Sequence, residues 1–166
     1  MVTFSICGPF EVPTTKMAMG RLVKTTDGKK FWKTYPSVAD ERGCYVFAFK
    51  AGKGYKPVYV GKATKSFKDE VFTPHKLHKF SEALGNQKKG TPMLFLVCLD
   101  KTKGPVSKIA IDEAESYLIQ AGLAANPNLL NSRKTKIPTW CINGIVRSKQ
   151  GKPSASAAAF RRCINT

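Results

Sequence analysis

The chain has 166 residues, with 28 Lys and Arg against 11 Asp and Glu, a formal net charge of +17. An apolar share of 42% suits a folded core rather than a disordered chain, and no run approaches the roughly 18 consecutive apolar residues of a spanning helix. So large a positive excess points to a polyanionic partner, and nucleic acid is the expected one, because no long basic amphipathic helix argues for a membrane surface.

The length suits one ordinary domain with a real core. The opening stretch MVTFSICGPFEVP has no basic n-region and only a short, interrupted apolar run, so no signal peptide is predicted. Cys7, Cys44, Cys98, Cys141 and Cys163 are odd in number and contain no CxxC pair. That usage argues against a zinc site and for a reducing, cytoplasmic compartment. Charge is uneven along the chain. Beyond Glu115 there is no acidic residue, while Arg133, Lys134, Lys136, Arg147, Lys149, Lys152, Arg161 and Arg162 follow.

Taken in order, Val2–Ile6 reads as a strand closed by Gly8-Pro9. The stretch KTTDGKKFWKTYP carries an Asp27-Gly28 turn signal and suggests a hairpin. Trp32 and Tyr35 would there either pack the hairpin onto the domain or stack on bases, packing being the expected use. GCYVFAF and PVYV are β-rich runs joined by the loop KAGKGYK, which makes a second hairpin, with Pro57 at the entry of its second strand. SFKDEVF opens a helix with Ser66 as N-cap and with Asp69 and Glu70 in its first turn, where the helix dipole favours anions. Pro74 interrupts or restarts that helix. Leu77, Phe80 and Leu84 then share one face, and Gly85 is a C-cap candidate. TPMLFLVCLD reads as a central strand buried on both faces. Ser107 caps the helix IAIDEAESYLIQAGLAA, which ends at Pro127. TWCINGIV is a strand candidate, and SASAAAFRRCI is a short basic helix begun by Pro153-Ser154.

The expected fold is α/β of the α+β kind: a small, antiparallel or mixed, three-stranded central sheet flanked by helices, with extra N-terminal strands and a basic C-terminal strand and helix. The expected organisation is an extension over 1–42 packed on the core, a core over 43–131, and a basic extension over 132–166.

Four stretches stand in a telling order: Gly43-Cys44-Tyr45, then Tyr59-Val60-Gly61, then Glu115 in AESYLIQ, then Asn131 in LLN. The set resembles the GIY-YIG nuclease superfamily. Tyr59-Val60-Gly61-Lys62-Ala63 is similar to the version in the incision subunit of bacterial nucleotide-excision repair. The likeness spans about residues 43–131. It implies a DNA endonuclease dependent on a divalent metal, Mg2+ or Mn2+, with Glu115 as the metal ligand. A magnesium ion held by one carboxylate, waters and phosphate oxygens is an ordinary site. The resemblance also implies that Tyr45 and Tyr59 orient or deprotonate the attacking water and hold the phosphate. Lys62 would act as a compact positive charge beside them, and Asn131 would steady the site by hydrogen bonds.

The family arginine departs from the pattern. About eight residues past the glycine this chain has Asp69, and with a one-residue insertion it has Glu70. A carboxylate cannot grip a phosphate as a guanidinium fork does. Lys65 and Lys68 are substitutes near in sequence, and His75 or His78 could supply a proton donor or a phosphate contact. Two readings therefore stand: a nuclease with a rearranged phosphate clamp, or a related domain that binds nucleic acid without cutting it. An unrelated basic RNA-binding protein is a third. DNA is the expected partner, with RNA as the alternative. Arg133, Lys134, Lys136, Arg147, Lys149, Lys152, Arg161 and Arg162 are expected to widen the footprint on phosphates without reading bases.

Overall fold

The computed structural model describes residues 2–18, 20–86, 90–100, 106–136, 142 and 154–164, and the chain divides into two units, Met1–Thr135 and Lys136–Thr166. The first unit is α+β. Its elements are β1 (Phe4–Glu11), β2 (Thr15–Met17), β3 (Gly20–Leu22), α1 (Thr25–Thr34), β4 (Gly43–Ala51), β5 (Gly54–Ala63), α2 (Phe67–Glu70), α3 (Pro74–Asn86), β6 (Thr91–Leu99) and α4 (Lys108–Ala125). The main sheet is antiparallel, in the order β1-β6-β4-β5, and β2 pairs with β3 in a separate ribbon. The N-terminal strand thus adds a fourth strand to the three expected. In the second unit, α5 (Ala155–Ile164) begins at Ser154, whose hydroxyl accepts the N–H of Ala157 at 3.1 Å. The strand expected in TWCINGIV lies outside the described residues except for Ile142.

β6 is paired on both sides and almost wholly buried, which is why its sequence is continuously apolar. β4 is the other inner strand and sends Tyr45, Phe47 and Phe49 into one core. Phe80 of α3 stacks on Phe47 with ring centroids 4.1 Å apart and planes within 9°. Phe31, Phe67, Val71, Leu77 and Leu84 complete this layer. On the opposite face, Cys44, Val97, Leu99 and Ile111 seat the start of α4, while Val60, Ile119, Leu123 and Leu129 seat its end.

Several local expectations are corrected. β1 does not stop at Gly8-Pro9. It runs on to Glu11 through a register shift between Cys7 and Phe10, which an edge strand tolerates because the proline's missing N–H costs no ladder bond there. The loop of the β4–β5 hairpin is shorter than KAGKGYK, since Ala51 pairs with Gly54 and Gly52 turns the chain at φ +59. Pro57 therefore lies inside β5, beside an irregularity where Phe47 pairs with Tyr59 and Ala48 with Pro57. Helix α3 continues one residue past Gly85.

The largest change is at Asp27-Gly28, which lies in helix α1 and not in a hairpin turn. Asp27 is buried, and its Oδ2 accepts the N–H of Lys24 and the hydroxyl of Thr15, each at 2.9 Å. That closes the first helical turn and ties it to β2. Gly28 serves close packing, because a Cβ there would come within 2.9 Å of Phe72. Trp32 and Tyr35 both pack against the core, with Tyr35 4.5 Å from Phe10 and Trp32 4.8 Å from Phe31 between ring centroids.

Candidate functional site

β5 ends the sheet, so its outer backbone needs partners. The segment after α4 supplies them. Asn126 donates to the carbonyl of Pro57 at 2.7 Å, and the N–H of Leu130 donates to the carbonyl of Val58 at 2.8 Å. Asn131 then acts as a strand residue would: its Oδ1 accepts the N–H of Val60 at 2.9 Å, and its Nδ2 donates to the Val60 carbonyl at 2.8 Å. This lacing draws residues 131–134 against the edge from which Tyr59 and Lys62 project.

A cavity of about 500 Å³ opens there. β5 contributes Tyr59 and Lys62, α3 contributes His75 and Lys79, α4 contributes Glu115 and Ile119, and the edge segment contributes Leu130 to Lys134. Four cations thus face one carboxylate on its wall. Of the residues expected at a site, Tyr59, Lys62, His75, Glu115, Asn131, Arg133 and Lys134 meet here.

Tyr45, Lys65, Lys68 and His78 of the same unit do not line it. Tyr45 is completely buried. It crosses over Gly61, its partner in the ladder, where a Cβ would fall 2.2 Å from its hydroxyl oxygen and 2.3 Å from its Cζ. The glycine of Tyr-Val-Gly is therefore not a strand terminus, since β5 continues to Ala63. Lys65 and His78 are exposed and outside the cavity. Lys68 pairs with Asp40 at 2.6 Å. Lys136 and Arg162 are exposed, and Arg147, Lys149, Lys152 and the side chain of Arg161 lie outside the described residues.

Asp69 and Glu70 have local tasks. Ser66 caps α2, its hydroxyl accepting the N–H of Asp69 at 3.2 Å while donating to the Asp69 carboxylate at 2.6 Å. Glu70 reaches back to accept the N–H groups of Thr64 and Lys65, each at 2.7 Å. It pins the turn between β5 and α2.

Two residues missed by the sequence reading complete the polar surroundings. Asp112 precedes Glu115 by three positions, one helical turn away on the same face, a spacing that was legible. Lys134 donates to Asp112 Oδ1 and Glu115 Oε2, each at 2.8 Å. Lys62 pairs closely with Asp112 and lies 3.4 Å from Glu115. These bonds, from Lys134 first and Lys62 second, hold the Asp112 carboxyl down at about 2. The second residue is Lys76 of α3, whose ammonium lies 5.3 Å from the centroid of the Tyr45 ring. Burial lowers its pKa, with Glu70 and Glu115 opposing.

Both tyrosines resist ionisation. Burial raises the Tyr45 phenol well above its ordinary value, with Tyr59 and Glu115 adding to the effect. Burial and then Glu115 raise Tyr59, against a smaller opposite pull from the Tyr45 hydroxyl. The Tyr45 hydroxyl has no hydrogen bond of ordinary geometry, so its influence on Tyr59 is one of proximity. Near neutral pH both are phenols, which donate hydrogen bonds and do not accept a proton. Cys44 is pushed up to about 12 by burial and stays an inert thiol, donating to the Ile111 carbonyl at 3.4 Å.

Comparison of the chain with protein-family models, with curated proteins and with solved structures found no match in any of the three. Among the described residues no group of three or more His, Cys, Asp and Glu side chains is arranged to hold a metal, and no helix is long and apolar enough to cross a membrane.

Proposed function

We propose that this cavity binds a phosphodiester of a nucleic acid, DNA in the first instance, and hydrolyses it in the manner of a GIY-YIG nuclease with a lysine-based phosphate clamp. One observation carries the reading. Tyr59, Lys62, His75, Glu115 and Asn131, drawn from four separate segments, converge on a single cavity whose wall is richer in cations than in anions. The surrounding β4-β5-α2-α3-β6-α4 segment, an antiparallel sheet flanked by helices, agrees with the resemblance.

The donor chemistry suits a hard divalent cation. Glu115 Oε2 and Asp112 Oδ1 already share an ammonium at 2.8 Å from each, so the pair presents a place that a cation fills. Glu115, with Asp112 beside it, would hold the ion. When bound, such an ion neutralises charge growing on the phosphate and stabilises the departing oxygen. Lys62, Lys79 and Arg133 bind and orient the phosphate, Arg133 being the one that offers a planar fork. Tyr59, held as a neutral phenol, donates to a phosphate oxygen. His75 on the cavity wall would take the proton that the attacking water loses and release it to solvent. Asn131 keeps the edge strand, and so Tyr59 and Lys62, in register.

The second reading, binding without cleavage, is favoured by the two ammonium groups already on Glu115. A plasmid-nicking assay with Mg2+ or Mn2+ separates the two. The expected result is cleavage by the parent and a loss of at least ~100-fold in both Glu115→Ala and Tyr59→Phe. Cleavage that survives both changes would sink the site assignment. Tight DNA binding with no cleavage by the parent would select the second reading.

A further inference from the structure

Lys134 has a left-handed backbone, φ 60, and is the one non-glycine residue with positive φ among the described residues. Such a conformation is costly for a long side chain and persists only when its surroundings impose it. Here they do. Its carbonyl accepts a hydrogen bond from the Gln120 side chain on α4. Its ammonium donates to the Asp112 carbonyl at 3.2 Å, to Asp112 Oδ1 at 2.8 Å and to Glu115 Oε2 at 2.8 Å. An ammonium has three protons, and all three are spent on one turn of α4. Three residues earlier, Asn131 ties the same segment to β5. The segment is thus fastened at both ends, with the charged tip of Lys134 set between two carboxylates.

We propose that Lys134 is a resident cation on the Asp112–Glu115 pair, which a divalent metal must displace before it can use Glu115. This rests on the reading of Glu115 as a metal ligand given above. The physical reason is direct: an ammonium and a metal ion both seek the same oxygens, and placing them side by side costs repulsion at short range. Lys62 is the weaker competitor at Glu115, 3.4 Å from the oxygen that Lys134 holds at 2.8 Å. In the absence of metal, Lys134 keeps two carboxylates one turn apart from repelling each other. With a phosphate in the cavity, the same ammonium has another anion to turn to.

The experiment is a titration with Mn2+ alone, following the free ion by electron paramagnetic resonance, on the full chain at low ionic strength. Lys134→Gly removes the ammonium and accepts φ 60 without strain, and Lys134→Met keeps the aliphatic stem. Circular dichroism melts confirm that each variant is folded. Both are expected to bind Mn2+ roughly tenfold more tightly than the parent. Adding Glu115→Gln to Lys134→Gly should abolish the gain. Affinities within about threefold of the parent for both folded variants, or a gain that survives Glu115→Gln, would overturn the proposal. Cleavage is not read in this titration, so a chain that binds DNA without cutting it leaves the result interpretable.

Discussion

Gly61 has no side chain because the phenol of Tyr45 fills the space where one would be. Added there, a Cβ would meet the ring and hydroxyl at 2.2 to 2.8 Å, and both strands are fixed by the ladder that pairs these two residues. Gly61→Ala is therefore expected to cost about 3 kcal/mol in urea unfolding, as overpacking at a rigid site does. A change below ~1 kcal/mol would mean that Tyr45 moves aside readily. The residue scale is also where the sequence misleads most. Tyr45 and Tyr59 look equivalent in the motif, yet one lies under a strand and the other opens on a cavity. Both lie on the same face, since Tyr45 pairs with Gly61 and Phe47 with Tyr59, and strand order decides the difference: β4 is an inner strand and β5 an edge. Asn131 was legible as a polar residue of the site. Its pairing with both backbone groups of Val60 was not, because that depends on a chain returning after 71 residues.

Among elements, α2 and the turn before it show what the carboxylates at 69 and 70 do. Ser66, Asp69 and Glu70 form a closed set of caps, and Glu70 satisfies two backbone N–H groups that would otherwise lack a partner in the turn. Replacing that carboxylate by a cation, Glu70→Arg, should thus harm the protein. We expect a loss of about 1–2 kcal/mol and a lower melting temperature, with no gain in DNA affinity beyond that of the two-unit change in surface charge. Glu70→Gln, which keeps an acceptor oxygen, should lose less. Equal stability of Glu70→Arg and the parent would contradict the capping role. N-cap chemistry is local, so Ser66 and Ser107 were both readable from sequence, and both cap as expected. Helix α1 was not readable, because Asp-Gly is a turn signal in isolation. Its helical outcome depends on Thr15 and Phe72, which lie outside the stretch.

For the molecule as a whole, charge is the dominant fact, and in the first unit four of the cations share one cavity. Lys62, Lys79, Arg133 and Lys134 line it together. Binding to a single-stranded or duplex oligonucleotide should weaken steeply with salt, and Arg133→Ala or Lys79→Ala should each reduce the log–log slope by about one. Affinity independent of salt, or unchanged slopes in both variants, would place the binding surface elsewhere. The sequence by itself determined the chain's own positive charge, the α+β class, the buried strand β6 and the ordered residues of the motif, because composition, periodicity and local caps are properties of neighbouring residues. Tertiary structure alone decided which tyrosine meets the cavity, that Asp27 starts a helix, that Glu70 closes a turn and that Lys134 rests on Asp112 and Glu115. Each of those outcomes is a contact between segments whose meeting is set by strand order and side-chain packing, which no local pattern encodes.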